Sequence, residues 1–332
     1  MKTSPQAKKA LIIGITGQDG AYLARLLLAK GYAVAGTSRD AQRTPLANLA
    51  ALGVADKVSV HSASLTDFRG LWEVIDKNAP DEIYNLAGQS SVGLSFEQPL
   101  ETFESVAVAN YHLLELMRLL GRPIRFYNAC SSECFGDTAV PAGETAPFQP
   151  RSPYAVAKAA AFWALANYRE AYGLFACSGI LFNHESPLRP ERFVTRKIVS
   201  TACRIAAGSG ERLSLGNIDV VRDWGWAPEY VEAMWAILQL DAPEDFVIAT
   251  GRSFSLREFT AAAFAELGLD WTRHVDSRPE LLRPADIHAS LADPSKAEKL
   301  LGWKAGLAMP EVVKAMIASE RQALAAREAS CP

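Results

Sequence analysis

The hydrophobic pattern of the first half of the chain alternates between short apolar runs and helical periodicity. Residues 10–14 (ALIIG) form a continuous apolar run, which is typical of a strand buried on both faces of a parallel sheet. Over residues 21–30 the apolar positions recur at helical spacing, and Gly31 follows where a helix C-cap would lie. Residues 32–38 return to the strand pattern, so these three segments predict a βαβ unit.

The strand signal recurs further along the chain, at residues 58–63, 82–87, 124–129 and 175–183. Helical patterns separate these runs. Such alternation predicts an α/β fold with a doubly wound parallel sheet of the Rossmann type.

Beyond Asn183 the chain changes to Pro-interrupted loops, amphipathic helices and isolated short strands, which predicts a smaller α/β lobe. Residues 230–240 and 245–250 have the patterns of a helix and a strand that return to the first sheet. The expected division is a Rossmann domain at 10–184, completed by 226–250, and a second lobe at 185–225 and 251–325.

Composition and charge narrow the possible ligands. The 332 residues are 49% hydrophobic, and 34 basic against 37 acidic residues give a net charge of −3 with no basic run, which argues against nucleic-acid binding. Five cysteines without a C-x-x-C pair suggest neither a disulfide framework nor a metal site. The sequence also shows no signal-peptide apolar region and no apolar stretch of the ~18 residues that a membrane span needs. We therefore expect a cytoplasmic protein with no membrane partner.

The turn after the first predicted strand carries a G-x-x-G-x-x-G pattern made by Gly14, Gly17 and Gly20, with Gln18 and Asp19 between the last two glycines. Glycine lets the backbone approach a pyrophosphate closely, and the N-terminus of the following helix supplies free N–H groups and a positive dipole end. Because a strand precedes the turn and a helix follows it, the pattern predicts a dinucleotide site.

Arg39 ends the second predicted strand. An acidic residue there would bind the ribose hydroxyls of NAD, whereas an arginine can pair with the 2′-phosphate of NADP. The position favours NADP, with a solvated surface arginine as the alternative.

A second constellation has the composition of an acid/base centre. Tyr154 and Lys158 lie at i, i+4 in a predicted helix that Ser152 would cap, so phenol and ammonium share one face, and the cation can lower the phenol pKa from about 10. Ser131 follows a predicted strand and can bind the substrate oxygen whose proton Tyr154 takes. Glu133 offers a second base, which removal of a carbon-bound proton beside a carbonyl requires. Its alternative is a surface-loop carboxylate.

Nine segments together resemble GDP-mannose 4,6-dehydratases of the extended short-chain dehydrogenase/reductase superfamily: TGQDGAYL (16–23), NLAGQSSVGLSFEQP (85–99), SSE (131–133), RSPYAVAK (151–158), LFNHESPLR (181–189), FVTRKI (193–198), RDWG (222–225), EDFVIATG (244–251) and RPADI (283–287). They extend over most of the chain. NHESP together with RDWG separates this family from general sugar-nucleotide epimerases.

The resemblance implies a redox-neutral lyase with bound NADP that converts GDP-mannose to GDP-4-keto-6-deoxymannose by hydride removal at C4, elimination of water across C5–C6 and hydride return to C6. In that reaction Tyr154 would take the O4 proton and Glu133 the C5 proton. Lys158 would orient the cofactor ribose, and Ser131 stands where the family usually has threonine.

The resemblance also implies ligand contacts. Besides the glycine turn, Arg39, Tyr154 and Lys158, the expected NADP contacts are Ser64, Leu65, Leu86, Ala87 and His184, the last without a chemical role of its own. The expected sugar-nucleotide contacts, besides Ser131 and Glu133, are Ser90, Asn183, Arg189, Lys197, Arg222, Arg283 and Asp286. A homo-oligomer, dimer or tetramer, is expected.

Four departures from the family pattern affect these expectations. Ser64 replaces the usual Asp before Leu, which bears on the adenine contact, and residues 38–45 replace the Arg-Arg-Ser-Ser loop that reaches a neighbouring subunit, which bears on tetramer formation. Leu188 stands in place of an arginine, and Trp226 in place of a histidine, which bears on the phosphate and sugar contacts.

Three alternatives remain at this point. The chain could be the reductase that acts on GDP-4-keto-6-deoxymannose, or a dehydratase or epimerase of a UDP or dTDP sugar. The non-enzyme alternative is an NADP sensor, which the presence of both Tyr154 and Lys158 disfavours.

Overall fold

The computed structural model describes residues 7–329 of the chain. Its strands, in chain order, are β1 (Lys9–Ile13), β2 (Ala33–Ser38), β3 (Ser59–Ser62), β4 (Glu82–Asn85), β5 (Arg125–Ser131), β6 (Ala176–Leu181), β7 (Asn183–Glu185), β8 (Leu213–Leu215), β9 (Val221–Trp226), β10 (Phe246–Ile248), β11 (Ser253–Ser255) and β12 (Val275–Ser277).

The helices are α1 (Gln18–Ala29), α2 (Ala47–Ala51), α3 (Phe68–Asn78), α4 (Val92–Glu97), α5 (Pro99–Phe103), α6 (Ala109–Leu120), α7 (Pro153–Tyr172), α8 (Val194–Ala206), α9 (Ala227–Ile237), α10 (Leu256–Ala265), α11 (Ser295–Leu301) and α12 (Met309–Ala329). A π-helical turn, Glu104–Val108, joins α5 to α6. Within residues 7–329, none of these helices has the length and apolar character that crossing a bilayer requires.

A seven-stranded parallel sheet is the central feature, with the order β10-β6-β5-β4-β1-β2-β3. The prediction of an α/β, doubly wound Rossmann fold is confirmed. The strand order reverses at β1, which lies between β2 and β4, and the carboxyl ends beside such a switch point are where ligands bind in open α/β sheets.

Strand β1 shows why the apolar run becomes a central strand. Ile12 belongs to a core shared with α1 and α9, whereas Leu11 and Ile13 belong to the core on the opposite face, shared with α3, α6 and α7. Successive side chains of a strand point to opposite faces, so a strand covered on both faces needs apolar residues at every position.

The smaller lobe is built on a three-stranded sheet of order β11-β9-β7 and on the parallel pair β8 and β12. Trp224 of β9 packs there with residues of α8, α10 and α12, including Ile198, Phe259 and Val312. Between these elements the chain returns to the large sheet, where β10 pairs with β6 and α9 packs on α1. The numerical domain boundaries expected from the sequence stay a prediction.

Some element ends differ from the sequence pattern in ways that affect the site. Helix α1 begins at Gln18, three residues before the first periodic apolar residue, so Gln18 and Asp19 lie in its first turn. Strand β5 extends through Ser131. The predicted strand at 175–183 divides, because Asn183 begins β7 in the smaller lobe.

Candidate active site

The glycine turn forms a close-packed cradle at the carboxyl end of β1. Gly14 has φ +89°, and a Cβ there would lie 3.0 Å from the Cβ of Ala87, while a Cβ on Gly20 would overlap the carbonyl oxygen of Gly14. Among the described residues no side chain caps α1, whose N-cap is Gly17. The turn thus combines a backbone without side-chain cover and an open helix N-terminus, and both fit the pyrophosphate of a dinucleotide.

The other expected cofactor contacts follow the ends of neighbouring strands. Arg39 is exposed directly after β2, and Ser64 and Leu65 follow β3. Leu86 and Ala87 follow β4, with the Leu86 N–H donating to the Ile13 carbonyl at 3.0 Å. Since parallel strands end at one edge of the sheet, these positions share the edge that carries the glycine turn.

Ser131 and Tyr154 meet at the end of β5. Ser152 caps α7 by accepting the Ala155 N–H at 3.1 Å, as its position in the sequence predicts, and this places Tyr154 in the first helical turn. Burial raises the pKa of the Tyr154 phenol, and the Ser131 hydroxyl acts in the opposite direction. Ser131 also accepts the Glu133 N–H at 3.3 Å.

Lys158 is buried and donates from Nζ to the Ala129 carbonyl of β5 at 2.6 Å. Its Nζ lies 5.8 Å from the centroid of the Tyr154 ring. Burial lowers the pKa of Lys158, while it raises that of Tyr154. The expectation that Lys158 lowers the phenol pKa is therefore corrected: in this arrangement burial decides the direction, and the ammonium supports the strand end.

Glu133 lies in the short 3-10 turn Ser132–Phe135 that follows β5. Burial raises the pKa of its carboxyl above the ordinary 4.5, and Arg222 and Arg283 act against that shift. Its partial burial disfavours the alternative of a solvated loop carboxylate, and its role as a second base stays a prediction. A carboxyl group with a raised pKa can both take and give a proton near neutral pH.

Two arginines converge on one carboxylate in front of Glu133. Arg222 of β9, only 6% exposed, places Nη2 3.3 Å from Oδ1 of Asp286. Arg283 places Nη1 3.4 Å from the same oxygen. The guanidinium groups are thus fixed side by side, an arrangement suited to bidentate binding of a diphosphate.

The remaining expected substrate residues are more dispersed. Asn183 begins β7 and pairs in register with Trp224 of β9. Lys197 donates from Nζ to the Ser214 carbonyl at 2.8 Å, and Ser90 is exposed just before α4. Arg189 lies 3.9 Å over the Phe193 ring, measured from Cζ to the ring centroid. Within residues 7–329, the structure describes no direct bond from any of these to Ser131, Glu133 or Tyr154.

His184 contacts the glycine turn directly. Its Nε2 lies 3.0 Å from Oδ2 of Asp19, and its Nδ1 lies 2.8 Å from the Phe182 carbonyl oxygen. Gln18 donates from Nε2 to the His184 carbonyl at 3.3 Å. Three expected cofactor residues are therefore one hydrogen-bonded group.

Sequence reasoning missed two supporting residues, Ser186 and Asp223. Ser186 donates from Oγ to Oε1 of Gln18 at 2.8 Å. Asp223 is fully buried and accepts the N–H groups of Thr250 and Arg252, which fixes the loop after β10 to β9, and burial raises its pKa to about 6. The only sequence signal for them was their place inside NHESP and RDWG.

Comparisons of the sequence with known proteins point to one family. The sequence model described as "GDP-mannose 4,6 dehydratase" matches residues 11–316. "GDP-mannose 4,6 dehydratase 2" of Caenorhabditis elegans is 45% identical over 346 residues, covering 96% of this chain and 91% of that protein. "GDP-mannose 4,6 dehydratase 2" of Arabidopsis thaliana is 46% identical over 331 residues, covering 97% and 88%.

Among solved structures, the UDP-glucose 4-epimerase of Thermus thermophilus in complex with NAD superposes with a TM-score of 0.84 at 26% identity, covering 95% of this chain and 99% of that one. The similarity includes both the large sheet and the smaller lobe.

Proposed function

Because the chain belongs to the GDP-mannose 4,6-dehydratase family, we propose that it converts GDP-mannose to GDP-4-keto-6-deoxymannose, with NADP as its nicotinamide cofactor. The observation that carries the proposal is the half-buried Glu133 beside the Ser131–Tyr154 pair, with two arginines in front of it. A simple alcohol dehydrogenase needs one base at this place. A 4,6-dehydratase needs two.

The cofactor, when bound, supplies reversible hydride storage. Tyr154 takes the proton of the O4 hydroxyl, and the Ser131 hydroxyl holds that oxygen. The oxygen becomes a carbonyl, and the proton on the adjacent C5 becomes acidic.

Glu133 removes the C5 proton, and the carboxylic acid so formed protonates the C6 hydroxyl that leaves as water. That proton leaves with the water. The stored hydride would return to C6, and C5 would regain a proton that balances the O4 proton taken by Tyr154. Burial, which raises the pKa of Glu133, strengthens the carboxylate as a base and still leaves the acid able to donate.

Arg222 and Arg283 bind the diphosphate of GDP. Before the substrate binds, both contact Asp286, which orients them and compensates part of their charge. A diphosphate with two negative charges competes with this single carboxylate, so Asp286 is released and can accept hydrogen bonds from the hydroxyls of the nucleotide ribose.

NADP is favoured over NAD by Arg39, which is exposed directly after β2. A guanidinium at this strand end reaches the 2′-phosphate that distinguishes the two dinucleotides.

A homo-oligomer in the cytoplasm is part of the proposal. Large apolar side chains are exposed on α5, α6 and α7, where Leu100 is 79% and Trp163 62% exposed, and such patches favour association. Light scattering after size-exclusion chromatography measures the assembly.

The cytoplasmic part of the proposal is supported by the cysteines. Cys130, Cys134, Cys177 and Cys203 are free thiols, as in a reducing compartment, and Cys331 lies outside the described residues.

The decisive experiment incubates the purified protein with GDP-mannose and no added reductant, and follows product mass and net NADPH. The proposal expects loss of one water and no net change in NADPH. Tyr154→Phe is the matched control, which should bind NADP without turnover.

Other results would identify the alternatives. NADPH consumption with GDP-4-keto-6-deoxymannose, and no dehydration of GDP-mannose, would indicate the reductase. Turnover of only UDP or dTDP sugars would indicate a different nucleotide specificity, and cofactor binding with no reaction would indicate a sensor.

A further inference from the structure

Both ring nitrogens of His184 face groups that accept hydrogen bonds. Nδ1 lies 2.8 Å from the Phe182 carbonyl oxygen, which has no proton to give. Nε2 lies 3.0 Å from the Asp19 carboxylate, whose pKa is lowered to about 2, so it is ionised and also accepts. A histidine that donates from both nitrogens is an imidazolium.

The ring of His184 is largely shielded from solvent. His184 is 7% exposed, and its ring stacks on the Tyr230 ring of α9 with the centroids 4.6 Å apart. Burial lowers the pKa of His184, but Asp19 more than compensates, so the pKa lies above its ordinary 6.5.

Two other charged groups lie nearby on the segment that follows Phe182. Arg189 faces both Asp19 and His184, but its Nε also lies 3.4 Å from Oε2 of the buried Glu185. Glu185 accepts a further hydrogen bond from Thr195 at 2.7 Å. Arg189 thus acts on both Glu185 and Asp19, whereas His184 is the cation within hydrogen-bond distance of Asp19.

Asp19 lies where an uncompensated negative charge would be harmful. It is in the first turn of α1, immediately after the cradle formed by Gly14 and Gly17. The proposed cofactor places its pyrophosphate at this helix end. A half-buried carboxylate there would repel the phosphates, because water and salt screen charges only weakly at a partly buried site.

We propose that His184 is a positioning residue that acts through Asp19: as an imidazolium it cancels the carboxylate charge at the helix N-terminus, and it holds the glycine turn against β7, so that a dinucleotide pyrophosphate can bind. This inference rests on the proposed cofactor site and is independent of the sugar substrate. Gln18 and Ser186 support the same junction by their hydrogen bonds between the turn and the smaller lobe.

The first test is a double-variant cycle on the full chain, with the dissociation constants of NADP⁺ and NAD⁺ measured by calorimetry. His184→Gln keeps an N–H for Asp19 but removes the positive charge, and it should weaken binding of both dinucleotides by about 10- to 30-fold. Asp19→Asn combined with His184→Gln removes both charges and should restore binding to within about 3-fold. Losses that simply add in the double variant would show a packing role only and overturn the proposal.

The second test needs no variant that could fail to fold. In the wild-type protein, nitrogen-15 NMR of His184 should show both ring nitrogens protonated at pH 7, and a neutral single tautomer at that pH would overturn the proposal. NAD⁺ affinity should fall as the pH rises through the folded-state pKa of His184, which is above 6.5. NAD⁺ serves here because it lacks the 2′-phosphate, which itself titrates near pH 6.

The results separate the two proposals. A wild-type protein that binds neither dinucleotide refutes the cofactor site itself. A wild-type protein that binds them, with His184→Gln binding equally well, refutes only the role of the imidazolium.

Discussion

Two glutamates lie at opposite ends of the neighbouring strands β4 and β5, and they differ in how their carboxylates are satisfied. Glu82 begins β4 and is fully buried. Its Oε1 accepts from Lys8 at 3.1 Å, from Tyr32 at 3.1 Å and from Gln239 at 3.2 Å, and its Oε2 accepts from Tyr84 at 2.7 Å. This carboxylate is held by four donors.

Glu133 follows the carboxyl end of β5, and none of residues 7–329 donates a hydrogen bond to its carboxylate. Arg222 and Arg283 influence it only through their charge, and burial raises its pKa. A half-buried carboxylate without donors is costly to keep ionised.

The number of donors distinguishes a structural carboxylate, Glu82, from one suited to proton transfer, Glu133. At Glu82 four donors hold the carboxylate in place and join the start of β4 to Lys8, Tyr32 and Gln239. At Glu133 none of the described residues donates to the carboxylate, and burial raises its pKa, which suits a group that takes and returns a proton.

The largest expected effect is a loss of turnover when Glu133, the carboxylate without donors, is replaced. Glu133→Gln should lower kcat by about 10²- to 10⁴-fold, because the amide cannot take the C5 proton. The free energy of unfolding should stay equal or rise, since no donor loses its partner. Steady-state kinetics and chemical denaturation measure both quantities, and a variant with normal kcat would refute the proton-transfer role.

Glu82→Gln is the matched substitution at the start of β4. It should lower the free energy of unfolding by about 1–3 kcal/mol, because buried donors lose a charged acceptor. Turnover of the folded fraction should stay within about 3-fold of the wild type. A large loss of kcat without a loss of stability would contradict the distinction between the two glutamates.

Arg222→Lys tests the group that faces Glu133. A lysine keeps the charge but loses the planar fork, so KM for GDP-mannose should rise about 10-fold with a smaller change in kcat. The matched control is Arg257→Lys, at an exposed arginine that pairs with Asp219 in the smaller lobe. An equal effect of both substitutions would indicate a general loss of lobe stability.

The smallest expected effect is a pH dependence of stability. Because the folded-state pKa of Glu133 is raised above 4.5, the folded protein binds this proton more tightly than the unfolded chain, and stability falls as the pH rises from 4.5 through the folded value. Asp223, whose pKa burial raises to about 6, contributes with the same sign. The unfolding free energy of Glu133→Gln minus that of the wild type should therefore increase toward neutral pH, because only the wild type loses stability through this group. A pH-independent difference would show that Glu133 is not perturbed.

Local sequence signals were sufficient for the elements and for part of the site. The apolar run of β1, the glycine turn and the Ser152 cap each depend on neighbours within a few residues, so they could be predicted. Asp19 and His184 are 165 positions apart, and Arg222 and Asp286 are 64 apart. Local sequence patterns cannot predict contacts between positions so far apart in the chain. The pKa direction of Tyr154 was also inaccessible, because it depends on burial by the whole fold.

The late return of the chain to the large sheet has a consequence for synthesis on the ribosome. Every residue of β6 is buried, and its outer neighbour β10 is translated only after β7, β8 and β9 of the smaller lobe. At about 5–20 residues per second, the nascent chain presents β6 as an open apolar edge for several seconds. We expect a chaperone that binds extended apolar segments to occupy this edge until Phe246–Ile248 emerges.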